Sequence, residues 1–211
     1  LPKSKKMIGG AAISVKQIND ETMHMLELAY ENVNQAFGQL LQFSDKTDEQ
    51  IYKREDTVNY LDKVISEYIS TALATPNLNV NISQALSSYY LMLVDIERIS
   101  DYAVNMNHQA TKRLQGDMTI SEIEIVEHMK KLCADMKNDL EDVEEAERKD
   151  DVIDSLVSSW REAQIQALKQ KKCSSEVSMM LSRIFTDFER INDHALNVSQ
   201  ELDKITFEIP D

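Results

Sequence analysis

Apolar residues recur every three or four positions through nearly the whole chain, the period of a helix buried on one side. From Ala11 to Phe43 the inward positions are Ile18, Met25, Leu26, Ala29, Val33, Ala36, Phe37, Leu40 and Leu41, which predicts a first helix. "SDKTDEQ" interrupts the pattern, and Thr47 with Gln50 reads as a capping box that opens a second helix. That helix runs to about Ala74, with Ile51, Val58, Leu61, Ile65 and Ile69 inward. Pro76 and the asparagines of "TPNLNVN" (75–81) then stop it. A third helix spans about Ser83 to Leu114, with Gly116 as its C-terminal stop.

Thr119 and Glu122 form a second capping box, opening a fourth helix. Residues 120–171 hold no Gly or Pro, yet one helix of that length would reach about 75 Å, too long for a compact domain. A turn is therefore placed at "MKNDLED" (136–142). "KKCSS" (171–175) separates helix five from helix six, which runs to about Ile205 before a frayed "TFEIPD" tail. Four Gly and three Pro agree with this all-α reading, since ordinary usage would give roughly 15 and 10.

One segment occurs twice. "DIERISDYAVN" (95–105) and "DFERINDHALN" (187–197) share Asp95/Asp187, Glu97/Glu189, Arg98/Arg190, Ile99/Ile191, Asp101/Asp193, Ala103/Ala195 and Asn105/Asn197. Glu97 and Glu189 are 92 residues apart. A fainter echo relates "EDTVNYL" (55–61) to "DDVIDSL" (150–156), with Asp56 and Asp151 separated by 95 residues. Two segments repeating at nearly one offset predict a six-helix bundle made by tandem duplication of a three-helix unit. The units are 15–116 and 117–205, between a basic 1–14 linker and a 206–211 tail.

A net charge of −14 argues against a nucleic-acid partner, which needs a basic surface, and favours cations where carboxylates cluster. Cys133 and Cys173 have no metal-ligand spacing and read as reduced thiols of a cytoplasmic protein. No apolar run approaches the roughly 18 residues of a membrane span. The start "LPKSKK", without an initial Met, suits the cytoplasmic side of a preceding span as well as it suits an ordinary solvated end.

Glu97 and Asp101, four residues apart, share a helix face, and Asn105 extends the stripe; Glu189, Asp193 and Asn197 repeat it. Acids at that spacing repel, so something must compensate them twice. In one reading Arg98, Arg190 or nearby lysines neutralise them and the repeat records only duplication. In the other, the stripes join Glu55, Asp56 and Asn59, or Asp150, Asp151 and Asp154, to bind hard cations such as magnesium or manganese, or non-haem iron. Other chemistry finds no support. A di-iron oxygenase needs Glu-x-x-His on two helices, and only Glu21 with His24 fits. No phosphate-binding glycine loop or nucleophile elbow occurs, and no base stands out for a metal hydrolase. His108 lies near the Glu97–Asp101 face, and His128 has no evident partner.

"DIERISDYAVNM" and "DFERINDHALNVSQE" resemble the E(D)xxxD signature of the PhoU family of phosphate-uptake regulators, one copy per three-helix repeat, and the resemblance covers about 15–205. It implies a non-catalytic regulator of phosphate transport whose acidic patches hold metal ions, often iron or zinc. Glu97, Asp101, Glu189 and Asp193 are the signature acids, and His194 matches a common "DHA" continuation. Ser100 and Asn192 stand where the family often has Gly, Tyr102 where it often has His, and Asn59 replaces the acid kept as Asp154. These departures favour the second site. "MIGGAAISVKQINDETMHML" is similar to the segment joining the membrane part of Na/phosphate-cotransporter-type proteins to a C-terminal PhoU-like domain. The partner so implied is the transporter portion of the same protein, or a phosphate-signalling protein, on the inner face of the cell membrane. Phosphate would be held through metal, and self-association stays open.

Overall fold

The computed structural model describes the backbone of residues 11–208 and the side chains of 15–205; "LPKSKK" and the last three residues lie outside them. Six α-helices follow one another: α1 Ala11–Leu41, α2 Asp45–Leu73, α3 Val80–Ala110, α4 Ile120–Asn138, α5 Val143–Lys169 and α6 Ser175–Glu208. A short 3-10 turn, Leu114–Asp117, precedes α4. No helix among the described residues is long and apolar enough to cross a membrane.

Boundaries moved where local capping outcompeted the sequence signal. α2 is capped by Ser44, not Thr47: Ser44 is extended, and its Oγ accepts the Thr47 N–H at 3.4 Å. Gln39 fixes Ser44 in place by accepting its N–H at 2.7 Å and donating to its carbonyl at 2.9 Å. α3 starts at Val80 because Asn79, read as a breaker, works as the cap and accepts from Asn81 N at 2.8 Å. The same helix ends at Ala110, four residues early, and Gly116 is not its stop. Arg113 takes the left-handed turn (φ 54°), held by Asp45 at 2.9 Å and lying 4.7 Å from the Phe43 ring centre. The Thr119–Glu122 capping box and the 136–142 turn appear as the sequence places them, with Asp142 capping α5. α6 continues through Glu208, so the expected tail begins helical.

α3 and α6 pack antiparallel: the start of α3 meets Glu201 and Lys204, and its end meets Ser182–Asp187. α1 covers α3 far more extensively than its counterpart, the shorter α4, covers α6. The two repeats share one hydrophobic core. Phe37 of α1 meets Phe188 of α6 edge-on at 6.3 Å, and Trp160 of α5 packs on Phe185 and Phe188. The inward residues read from the sequence are buried, apart from Leu41 and Leu61, which are half-buried. A shared core implies one cooperative unit. Phe188→Ala removes a fully buried ring and should cost about 3–5 kcal/mol. Trp160 fluorescence and far-UV circular dichroism should still report coincident urea transitions; separate transitions for the two repeats would contradict the shared core.

Candidate functional site

α3 is amphipathic in three directions, and so is α6. Ile99, Ala103 and Met106 face the core, as Ile191, Ala195 and Val198 do. Asp95, at the α3–α6 seam, accepts from Asn197 at 3.0 Å and sits 2.7 Å from His194 Nδ1. Tyr102 stacks on His194, with ring centres 5.8 Å apart. The signature acids occupy the third direction, toward α2 in the first repeat and α5 in the second.

In the first repeat, Glu55, Asp56, Asp62, Glu97 and Asp101 lie close enough to feel one another. Burial is the main cause raising the Glu55 and Glu97 carboxyls above their ordinary range, with neighbouring acids adding to it. Glu55 is buried and accepts from Ser100 Oγ and from Asn59 at 3.1 Å. Asn32, fully buried, donates to Ser100 at 3.2 Å, and Arg54 donates to Asn32 at 2.8 Å. Glu55 thus ends a hydrogen-bonded chain running across α1, α2 and α3. Asp62 was missed in the sequence because its counterpart in the second repeat, Val157, is apolar.

In the second repeat, Asp150 has Asp154, Asp193 and Asp151 as its charged neighbours. Its carboxyl is pushed up to about 6, first by burial and then by those acids. Glu189 does not join this group. Arg161 of α5 holds it at 2.6 Å, donates to Thr186 at 3.1 Å, and lies over the Phe185 ring. Arg161 went unremarked in the sequence; the repeat offset sets it against Ser66, and that comparison would have exposed it. Asn192 replaces Ser100, with a different outcome. Asn192 Nδ2 donates to Phe188 O at 2.7 Å, leaving its buried Oδ1 without a hydrogen-bond partner. Asp150 Oδ1 is also buried without one.

The arginines of the repeat behave alike. Arg98 bonds Asp101 at 3.2 Å and Arg190 bonds Asp193 at 3.1 Å, so a local ion pair accounts for part of the duplication. The predicted eight-residue stripes split. Eight residues turn a helix about 80° past its starting face, which places Asn105 in an α3–α6 cleft with His108 and Asn197 on Asp95. His194 likewise serves the seam, not the acid group. His128 packs edge-on to Trp160 at 5.4 Å. Among the described residues, no three His, Cys, Asp or Glu side chains already converge at metal-binding spacing. The donors fit a hard cation in chemistry; closing on one would need rotation of the exposed Asp154 and half-buried Asp193 side chains.

Asp187, the counterpart of Asp95, sits in the α3–α6 cleft beside Asn105, His108, Gln109 and Arg183. Burial raises its carboxyl to about 6, and Arg183 partly offsets this. An acid raised on folding destabilises the folded state when ionised, so stability falls as pH climbs from about 4 through about 6. Asp187→Asn should therefore raise the thermal midpoint at pH 7 by about 2 °C in chelator-treated protein. The difference should vanish below about pH 4, as followed by circular dichroism.

Compared with known families, the chain fits the PhoU domain twice, over residues 22–110 and 121–202. It is 24% identical over 200 residues to "Phosphate-specific transport system accessory protein PhoU homolog 1" of Thermotoga maritima, covering 88% of this chain and 84% of that protein. Its fold is similar to crystal structures of PhoU from Pseudomonas aeruginosa (TM-score 0.79, 19% identity, 91% of this chain and 96% of that one) and of the phosphate transport system regulatory protein PhoU from Streptococcus pneumoniae (0.78, 18%, 96% and 100%). The two matched segments coincide with the two halves that the duplicated acid-bearing helices α3 and α6 close, and on that agreement the chain belongs to the PhoU domain family.

Proposed function

We propose that this chain is a non-catalytic regulatory domain of phosphate transport and that its second acidic group, Asp150, Asp151, Asp154 and Asp193, binds a divalent cation. Membership of the PhoU family and likeness to the Thermotoga phosphate-transport accessory protein support the regulatory part. The observation carrying the cation part is the buried, unpartnered oxygen Asp150 Oδ1 beside three further carboxylates. A hard cation takes oxygen donors of this kind. Magnesium, manganese, iron or zinc would suit the donor set to different degrees. Glu189 stays with Arg161 in this reading. The first group, Glu55, Asp56, Glu97 and Asp101, is the weaker candidate because Glu55 is already hydrogen-bonded to Ser100 and Asn59.

The chain would act at the inner face of the membrane, on a transporter or on a phosphate-signalling protein, with phosphate reaching it as a further ligand of the bound metal. Arg161 also offers a regulatory contact: if it released Glu189, a fifth carboxylate would become free to approach the group. The rival reading, a structural bundle with solvated acids, rests on the Arg98–Asp101 and Arg190–Asp193 pairs.

Equilibrium dialysis against manganese with elemental analysis separates the two. Wild type should retain about one ion, and Asp150→Asn/Asp193→Asn should lose at least tenfold in affinity, while Glu97→Gln/Asp101→Asn changes little. Equal retention by all three proteins would reject the site. The regulatory part is tested by orthophosphate uptake in host cells lacking this chain: the response to phosphate starvation should be altered and restored by the wild-type chain.

A further inference from the structure

The first half of α3 carries an apolar stripe on its outer side. Val80 is 69% exposed, Leu91 50%, Val94 47% and, beside them, Tyr90 43%. The helical repeat keeps Val80, Leu91 and Val94 on one face along about 21 Å of α3. Next to the stripe, Leu78, Ser83 and Ser87 line a groove of about 440 Å3 against Glu201 and Lys204 of α6, which pair with each other at 2.6 Å.

The fold does not require this stripe. At the repeat offset, Tyr90, Leu91 and Val94 correspond to Ser182, Arg183 and Thr186 of α6, all polar. That face of α6 is also covered: Arg161 of α5 donates to Ser182 O at 3.4 Å and to Thr186 Oγ1 at 3.1 Å. Its counterpart in α2, Ser66, has no such reach and bonds Asp62 on its own helix. A solvated helix face is ordinarily polar, so large apolar side chains exposed in one line mark a surface that meets something.

The neighbouring charge narrows what that is. One turn beyond Val94, α3 becomes acidic: Glu97 and Asp101 form one charged group with Glu55 and Asp56 of α2. Arg98 faces Glu97 at 3.6 Å and Asp101 at 3.2 Å. Burial, and then the crowding of like charges, still raises the Glu55 and Glu97 carboxyls, so a further cation would be welcome there. These acids would repel the anionic headgroups of a membrane, and a second copy would bring its own charge of −14. An apolar stripe of about four turns that runs into acids matches a helix whose apolar side ends in lysines or arginines.

We infer that the outer face of α3 docks a basic amphipathic helix of another protein, with its apolar side chains on Val80, Leu91 and Val94 and its cations on Glu97, Asp101 and Asp56. This names the kind of partner for the regulatory reading, on which it rests, and is independent of the cation site at Asp150.

A photo-crosslinking residue, p-benzoylphenylalanine, placed at Leu91 of the full-length protein in its host cells reads the occupant directly. Sequencing of the cross-linked peptide should give a segment of another protein with apolar residues at helical spacing and lysine or arginine at one end. The same probe at Ile165, exposed on α5, should not capture it. Made as a synthetic peptide, that segment should bind wild type in fluorescence anisotropy, and Leu91→Ser/Val94→Ser should weaken it roughly tenfold or more. Glu97→Gln/Asp101→Asn should weaken it roughly threefold and flatten its salt dependence. Leu91 and Val94 are exposed, so their double variant should melt within about 2 °C of wild type. Cross-links to the same chain, to a second copy or to lipid, no cross-link at all, or variants that bind as wild type does would overturn the surface. Orthophosphate uptake separates this from the regulatory reading. Leu91→Ser/Val94→Ser should fail to restore the starvation response; a variant that restores it as wild type does would overturn the docking and leave the regulatory reading standing. If wild type itself restores nothing, the regulatory reading falls, and the cross-link still decides the surface.

Discussion

The antiparallel packing of α3 against α6 is the constraint on which the rest of the molecule depends. Each helix must bury one face in a core common to both repeats, give a second to the other helix, and leave a third for its own repeat. The core face is filled by Ile99, Ala103 and Met106 and by Ile191, Ala195 and Val198. The seam is pinned by Asp95, His194 and Asn197. Only the third face remains for Glu97, Asp101, Glu189 and Asp193, which is why acids from one helix meet acids from α2 or α5 at partial burial. Like charges are thus crowded by the fold itself.

The two repeats answer that crowding differently. In the first, Ser100 is a hydroxyl that can donate, so Glu55 is absorbed into a chain of hydrogen bonds reaching Arg54 through Asn32. In the second, Asn192 spends its donor on the backbone, and Asp150 is left with acids around it. Arg161 relieves Glu189 alone. The repeats therefore share a scaffold while the chemistry of the two acid groups differs, one satisfied by internal hydrogen bonds and the other leaving a buried carboxylate oxygen of Asp150 unpartnered. The looser cover of α6 by α4 goes with the second group.

Most of the architecture was legible in the sequence because long amphipathic helices advertise their buried face at every turn. The helix pattern, the hidden 136–142 turn and the tandem repeat all came from spacing. Ends were less legible: Ser44 and Asn79 cap through side-chain geometry that competes with equally plausible neighbours, and Arg113 takes a positive φ that sequence assigns to glycine. The site was legible as residue types but not as partners. Asn105, Asn197 and His194 share the motif, yet helical drift carries them to the seam. Arg161 and Asp62 lie outside it and decide which acids are neutralised or crowded.

An anomalous-scattering map from crystals grown with manganese addresses the central claim most directly. The account predicts a peak at about 2.2 Å from carboxylate oxygens of Asp150 and Asp193, with Glu189 still on Arg161. A map without density there, with Asp150 instead bonded to ordered water, would contradict it.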